Sequence, residues 1–291
     1  MGVARLHQLA LDRSKDALAS GALCPLSTRV EALHGTDQQS SFELRHLIGA
    51  PPRHLRPAGP KPNPFCPWDP RLEVETIGDD HVMILNKYPV QVGHMLLISR
   101  AWAPQTGWLS ALDWQAVHAV QQASEGLWFF NSGPRAGASQ PHRHLQLLPR
   151  EPGAALCPRQ SWWQTKLTTH ASSDSGVLGL RTSAVALSAC TADALQAAYL
   201  ALCRAQNIGD PRKNDQPRQP YNLLFTDQWM GLISRTCDES HGFSINALGF
   251  AGYLLCTDQS DRSWLDRHGP EALLSHVVPA ADVRGSTDAH D

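Results

Sequence analysis

The sequence predicts an α+β protein with a mainly antiparallel sheet and helices packed outside it. Short apolar runs alternate with turns rich in glycine, proline and aspartate, a pattern typical of strands. The connections between segments 72–77, 82–86 and 94–99 are too short for a crossover helix, so these strands should pair antiparallel. Segments 107–124 and 192–206 instead repeat apolar residues at helical spacing.

Composition narrows the class of protein. The chain has 291 residues, of which 42% are hydrophobic and 18% charged, so it can bury a substantial core. A formal net charge of −2 gives no general attraction to nucleic acid or to an anionic membrane. Charged residues interrupt the first 16 positions and no 18-residue apolar run occurs, so we expect neither a secretory signal nor a membrane span.

The seven cysteines are an odd number, are widely spaced and form no Cys-x-x-Cys. A disulfide framework or zinc ribbon is therefore not expected, whereas reduced thiols are. Together with the absence of a signal, this predicts a cytoplasmic location.

The N-terminal third begins with a weakly amphipathic helix over 3–19 and a strand over 41–48. Segment 51–70 carries eight of the 21 prolines and must be extended, because proline lacks a backbone donor and breaks helices. Two interpretations stay open for it. It is either a wrapping connector or a basic arm, with Arg56 and Lys61, that reaches over a polyphosphate.

The C-terminal third alternates apolar strands with helices. Thr191 is a suitable N-cap for the helix over 192–206, and Gly269-Pro270 should interrupt the last helix. The predicted elements here are a helix over 192–206, a hairpin of 221–225 and 229–235, strands over 243–248 and 252–257, and a broken helix over 261–276.

The stretch 131–149 contains the residues best suited to catalysis. An apolar strand over 127–130 leads into a turn of small residues, followed by His142-x-His144-x-Gln146. In an extended segment, residues i, i+2 and i+4 share one face, so both imidazoles and the carboxamide should line up. Several N–H groups of the turn can converge on an anion without hindrance from Cβ atoms. A phosphate cradle beside this row indicates chemistry at phosphorus.

His144 is the expected nucleophile because neighbours on both sides can orient it. A neutral imidazole attacks phosphorus without a strong base, and the resulting phosphoramidate is reactive enough to pass the group on. Its second ring nitrogen should donate to an acceptor, such as a backbone carbonyl, to fix the tautomer. His142 would support either that geometry or the leaving group.

Gln146 indicates group transfer rather than hydrolysis. A carboxamide can donate a hydrogen bond to a non-bridging phosphoryl oxygen, but it cannot protonate a leaving group. The site therefore suits leaving groups that depart as anions, such as nucleoside phosphates.

Other kinds of site are weaker interpretations. A His-x-His pair is often a metal site, but the only nearby pattern with a further ligand is Cys237-x-x-x-His241, which we interpret as incidental, and we expect no metal site. The chain has no P-loop, no H-E-x-x-H and no G-x-S-x-G motif.

Residues 131–146 resemble the signature of the ATP adenylyltransferases, also called diadenosine tetraphosphate phosphorylases. This is the His-x-His-x-Gln branch of the histidine-triad superfamily, which also includes galactose-1-phosphate uridylyltransferase. The uridylyltransferase branch has a cysteine pair for metal that this chain lacks. The similarity extends to flanking segments 63–65, 72–74, 85–90, 93–98, 221–224, 229–230 and 245–252.

The resemblance implies a histidine-triad-like nucleotidyltransferase core over 1–180. It also implies an adenylyltransferase region over 181–291 that extends the same sheet and completes the nucleotide site. The implied reaction is reversible phosphorolysis of diadenosine tetraphosphate by inorganic phosphate to ATP and ADP, through an adenylyl group on His144. Gln146 would hold the transferred phosphoryl group.

The remaining implied site residues would contact nucleotide or phosphate. They are Asn86, Lys87, Asn131, Gly137, Ala138, Ser139, Gln140, Asn246, Ala247, Gly249 and, in the proline-rich segment, Lys61, with Arg56 as an alternative.

The expected partners are a dinucleoside polyphosphate, ATP, ADP and phosphate, with a divalent cation, Mg²⁺ by its chemistry, carried by the polyphosphate. We expect no tightly bound cofactor, no nucleic acid or membrane partner, and a monomer or small homo-oligomer. Two alternatives stay open: a dinucleoside polyphosphate hydrolase, and an inactive nucleotide sensor.

Overall fold

A computed structural model describes residues 5–35, 40–49, 63–151, 153–168 and 176–280. Lys61, Arg56 and most of the proline-rich segment lie outside these ranges. Within them, the strands are β1 (Thr28–His34), β2 (Ser41–Leu47), β3 (Glu73–Ile77), β4 (His81–Leu85), β5 (Met95–Ser99), β6 (Gly126–Asn131), β7 (His144–Pro149), β8 (Thr182–Ala186), β9 (Tyr221–Phe225), β10 (Trp229–Ser234), β11 (Glu239–Ser240), β12 (Phe243–Ser244) and β13 (Tyr253–Cys256).

The helices surround these strands, and several begin where the sequence supplies a cap. Ser110 and Asp113 form a capping box that starts α2 four residues later than its apolar pattern predicts. The helices are α1 (Arg5–Ala19), α2 (Ala111–Gln121), α3 (Gln160–Thr168), α4 (Val177–Leu180), α5 (Ala192–Ala205), α6 (Ala247–Ala251), α7 (Arg262–His268) and α8 (Pro270–Ser275).

The main sheet has eight strands in the order β3-β4-β5-β7-β6-β9-β10-β8. Every pair in it is antiparallel, as the short connections predict. The strands β8, β9 and β10 extend the sheet begun by β3–β7, and β7 lies near its centre. The α+β class is therefore confirmed.

Two apolar layers sandwich the sheet. One layer contains Leu145 and Leu147 of β7 together with buried residues of α1, α2 and α5. The other contains Phe129 and Leu148 with residues of α3, α6 and α8. Because successive residues of β7 point to opposite faces, His144 and Gln146 share the face of the second layer.

One expectation for the C-terminal third was wrong. Segment 243–248 is not one strand: β12 ends at Ser244, and Asn246 caps α6 through its side chain, which accepts a bond from the N–H of Leu248. The last strand, β13, does not join the main sheet. It pairs parallel with β2 in a separate sheet ordered β1-β2-β13. Strand apolarity alone does not specify a partner when several edges are available.

None of the helices in the described ranges is long and apolar enough to cross a membrane.

Candidate functional site

His144 begins β7 and is 3% exposed. Its Nδ1 lies 2.8 Å from the carbonyl oxygen of His142, and because a carbonyl only accepts, Nδ1 carries the proton. This confirms the expected tautomer. Nε2 is left with a lone pair and has no partner among the described residues. Burial lowers the pKa of His144 to about 4, so the ring is neutral near pH 7.

His142 lies just before β7 and its side chain is fully buried. Its Nε2 donates to the backbone oxygen of Ser99 over 2.7 Å. Its Nδ1 then accepts from the side-chain amide of Asn63 over 2.8 Å. Both ring nitrogens are occupied, so of the two roles open to His142, supporting geometry agrees with the structure and protonating a leaving group does not.

Gln146 is connected to a buried histidine that sequence reasoning did not assign to the site. Its Oε1 lies 3.0 Å from Nε2 of His94. Nδ1 of His94 lies 3.2 Å from the side-chain nitrogen of Asn86 and 3.5 Å from the backbone nitrogen of Val90. Burial lowers the pKa of His94 to about 3. The side-chain NH₂ of Gln146 has no partner within the described residues.

Phe65 packs against both imidazoles of the motif. Its ring centroid lies 5.8 Å from that of His142 and 5.3 Å from that of His144. Asn63 holds this segment in place by accepting from the N–H of Phe65 while it donates to His142. Residues 63–65 of the proline-rich segment therefore lie against the two imidazoles, beginning two residues beyond Lys61.

The glycine-rich turn between β6 and the motif separates into two parts. The N–H groups of Gly137 and Ala138 bond to carbonyls inside the turn. Those of Ser139 and Gln140 have no partner among the described residues, and Ser139 is exposed. The cradle predicted over 137–140 thus reduces to two available donors. Gly137 has φ +86°, and a Cβ there would lie 2.6 Å from Cβ of Asn246.

Asn131 connects the end of β6 to two segments of the C-terminal third, at Asn222 and Ala247. Its Oδ1 accepts from the side-chain amide of Asn222 over 2.8 Å and from the N–H of Ala247 over 2.9 Å. Asn222 in turn accepts from Arg235. The side-chain NH₂ of Asn131 has no partner in the described part of the chain and stays available as a donor.

Three residues expected to contact nucleotide are engaged in contacts within the protein. Both ends of the Asn86 amide are engaged, with Tyr88 N–H and with His94. Ala247 N–H is bonded to Asn131. Gly249 has its backbone groups bonded within α6 and faces Ile245 and Leu274 of the core. Of these bonds, only the one between Asn131 and Ala247 joins segments far apart in sequence, 116 residues from each other.

Two other predicted residues keep a nitrogen donor that is not hydrogen-bonded within the described residues. Asn246 packs on the phosphate turn and keeps its side-chain nitrogen unpaired among the described residues, while its Oδ1 caps α6. Lys87 is exposed, with Nζ 5.9 Å from the ring centroid of Tyr88.

Gln105 was missed entirely. It is 1% exposed and bonds to both the N–H and the carbonyl of His144, at 2.8 and 3.1 Å, and to the carbonyl of Asn131 at 2.8 Å. It therefore fixes the start of β7 relative to the end of β6. Its segment is an irregular loop, so no periodicity in the sequence identifies it.

The opposite face of the motif strand carries a buried ion network. Arg143 donates to Asp113 over 2.7 Å and to the carbonyl of Pro104 over 2.8 Å. Asp113 also accepts from His81 over 3.0 Å and from Ser110 at the start of α2. This network ties the His-x-His segment to the helical layer.

The geometry supports transfer of a phosphorus-centred group through a histidine. The chain belongs to the Ap4A phosphorylase family: the Ap4A phosphorylase N-terminal domain model matches residues 3–158, and the ATP adenylyltransferase C-terminal domain model matches residues 174–279.

Curated relatives agree with this assignment. The chain is 25% identical to Protein APA1 of Saccharomyces cerevisiae over 281 residues, covering 87% of each chain. It is 26% identical over 228 residues to Diadenosine 5',5'''-P1,P4-tetraphosphate phosphorylase 2 of the same yeast, covering 68% of this chain and 69% of that one.

Solved structures show the same fold. The crystal structure of yeast Ap4A phosphorylase Apa2 in complex with AMP matches with a TM-score of 0.70 and 23% identity, over 92% of this chain and 94% of that one. The Apa2 complex with Ap4A matches with a TM-score of 0.69 and 22% identity, over 93% and 94%.

Proposed function

We propose that this chain catalyses the reversible phosphorolysis of diadenosine tetraphosphate by inorganic phosphate to ATP and ADP. The observation that carries the proposal is the state of His144, whose Nδ1 is committed to a backbone carbonyl while Nε2 is unprotonated and unpaired among the described residues. Family membership supports the adenylyl-transfer class, and relatives named for this phosphorolysis support the substrate.

In the first step, Nε2 of His144 attacks the α-phosphorus. The N–P bond forms as the bond from that phosphorus to the bridging oxygen breaks, and ATP leaves as an anion. No proton has to be removed from the nucleophile, because burial holds the pKa of His144 at about 4. The positive charge that develops on the ring is stabilised by the carbonyl of His142, which accepts the Nδ1 proton's hydrogen bond.

The neighbouring donors match the charge that develops at phosphorus. The NH₂ of Gln146 and the N–H groups of Ser139 and Gln140 are the donors we assign to the non-bridging oxygens. ATP needs no proton to depart. This agrees with the structure, because both ring nitrogens of His142 are already hydrogen-bonded.

In the second step, an oxygen of inorganic phosphate attacks the adenylyl phosphorus. The new P–O bond forms as the N–P bond breaks, ADP leaves, and the electron pair returns to Nε2 of His144. The same geometry serves both steps and both directions, as a double displacement requires.

We further propose that a divalent cation, Mg²⁺ by its chemistry, travels with the polyphosphate, because several negative charges must be screened. Residues 1–180 would carry the histidine-triad-like core and residues 181–291 would complete the nucleotide site, in a monomer or small homo-oligomer. The cytoplasm is the proposed location, since the cysteines are all unpaired.

The test is to mix enzyme with diadenosine tetraphosphate in the absence of phosphate and weigh the intact protein. We expect an AMP adduct that disappears when phosphate is added, with ADP as the product. His144→Ala should abolish the adduct, whereas His34→Ala, which changes an exposed histidine on β1, should retain it. Steady turnover to AMP and ATP without phosphate would instead establish the hydrolase.

A further inference from the structure

We propose that His94 is a positioning residue that fixes which end of the Gln146 carboxamide faces the reacting phosphorus. The inference rests on the proposed function, because it assigns a role within that same site. His94 would act through Gln146 and would not touch the substrate.

The groups that approach Nδ1 of His94 determine which nitrogen of its ring donates to Gln146. The side-chain nitrogen of Asn86 and the backbone nitrogen of Val90 both approach Nδ1 of His94, at 3.2 and 3.5 Å. Both are donors, so Nδ1 must accept and the ring proton must lie on Nε2. Nε2 therefore donates to the Gln146 atom 3.0 Å away, which must be the carbonyl oxygen.

The orientation of Asn86 is itself fixed. Its Oδ1 accepts from the backbone N–H of Tyr88 over 3.1 Å, so its nitrogen is the end that points to His94. The series Asn86, His94, Gln146 thus runs donor to acceptor in one direction from a backbone amide. It ends on the Gln146 NH₂, which has no other partner among the described residues.

The consequence for catalysis is a preset donor. With its oxygen held by His94, Gln146 presents N–H to the non-bridging phosphoryl oxygens. Rotated by 180°, it would present a carbonyl oxygen to an anion and oppose the transition state. An unrestrained carboxamide rotates between these two states, and at a phosphoryl site only one of them is useful.

The hydrogen bond from His94 to Gln146 does not depend on pH in the physiological range. His94 is 2% exposed and its ring packs 5.7 Å from that of Phe129. Burial is the main reason that its pKa falls to about 3; the hydrogen bond to Gln146 opposes the shift, and Arg150 and His144, which face the ring, act in the same direction as burial. The ring therefore keeps one proton, on Nε2, from weakly acid to alkaline pH.

A double-mutant cycle tests the proposal, with the single-turnover rate of adenylyl-His144 formation as the readout. Gln146→Ala should lower that rate by about 10²–10³, as loss of one oxyanion donor does. His94→Leu should lower it by about tenfold or more, with little change in nucleotide affinity. The double variant should be no slower than Gln146→Ala alone. Additive losses would overturn the proposal.

Two further variants keep the test decisive if His94→Leu folds poorly. His94→Gln retains a donor and should recover part of the rate. Asn86→Asp replaces the side-chain donor at Nδ1 of His94 with an acceptor, which favours the neutral ring with its proton on Nδ1 and a lone pair turned toward Gln146. Adenylylation by this variant should be retained at low pH, where the ring is doubly protonated, and lost as pH rises. A pH profile like that of wild type would refute the assignment.

The two proposals fail differently. If wild-type enzyme forms the adduct but passes it to water, phosphorolysis is wrong and the cycle still reports on His94 through adduct formation. If wild type forms the adduct and the cycle is additive, only the role of His94 is wrong. If no adduct forms at all, both are overturned.

Discussion

The two faces of the motif strand differ in the charge of the groups that hold them: the partners are uncharged on one face and ionic on the other. On one face, His144 and Gln146 are held by uncharged partners: a backbone carbonyl, a neutral histidine and an asparagine behind it. On the other, Arg143 is held by the carboxylate of Asp113, which also binds His81. The ion pair thus lies on the face opposite to His144. Among the described residues, the face that carries His144 has no carboxylate beside the ring to raise its pKa. The strand is fixed by charge on one side and kept neutral for attack on the other.

Removing the ionic anchor should produce the largest effect, and on stability. Asp113→Ala leaves the buried guanidinium of Arg143 without its counter-ion, which should cost about 3–5 kcal/mol in unfolding free energy. The rate of adenylylation per folded molecule should remain within an order of magnitude. Denaturant unfolding and single-turnover kinetics measure the two quantities. A stable variant that cannot form the adduct would show that the two faces are not separable.

Changing the neutral face should produce the reverse pattern. Gln146→Ala should lower adenylylation by about 10²–10³, equivalent to about 3–4 kcal/mol in the barrier. The unfolding free energy should fall by less, about 1–3 kcal/mol, because the buried Nε2–H of His94 loses its acceptor. Gln146→His is the matched variant, since it restores a donor and adds a group that can exchange protons. It should raise the share of adduct lost to water, measured as AMP formed per ADP. An unchanged ratio of AMP to ADP would contradict the argument that Gln146 disfavours hydrolysis because it cannot donate a proton.

Asn131 lies where the neutral face meets the C-terminal region. Asn131→Ala leaves the N–H of Ala247 and the amide of Asn222 without their shared acceptor, which should cost about 1–3 kcal/mol. Because these bonds hold α6 and Asn246 against the phosphate turn, nucleotide affinity should fall as well. Calorimetric binding of AMP together with thermal unfolding checks both effects. Loss of stability with unchanged affinity would show that α6 does not form part of the site.

The smallest effect should come from pH. Burial depresses the pKa of His94 to about 3 and of His144 to about 4, below the value near 6.5 of an unfolded chain. The unfolded state therefore binds more protons, and the stability due to each neutral ring is present above pH 6.5 and lost as pH falls. Between pH 7 and 5.5 the loss should be about 1 kcal/mol for each histidine.

This dependence is measured by denaturant unfolding across that range. His144→Ala should flatten it, whereas the exposed control His34→Ala should not. The rate of adduct formation should show no limb near pH 6.5, and an inflection there would mean that His144 titrates as an exposed imidazole.

Particular elements show how far local pattern reaches. The strands β3, β4 and β5 and the hairpin β9–β10 fell within one residue of their expected limits, because alternation and turn chemistry are local. The fate of 243–248 was not predictable, since its apolar residues fit a strand as well as a short helix. Asn246 decides the outcome by capping α6.

The sequence by itself predicted the sheet class and the group-transfer chemistry and singled out His144 as the proposed nucleophile, because imidazole nucleophilicity and the limits of a carboxamide belong to the residues and their spacing. Only the tertiary structure decided which atoms of those residues are free. Both nitrogens of His142 are hydrogen-bonded, and Asn86 and Ala247 are bonded within the protein. Gln105 and His94, which are distant in sequence, bond to His144 and Gln146. The physical reason is that a buried polar group must find a partner, and which partner it finds depends on packing between segments far apart in the chain.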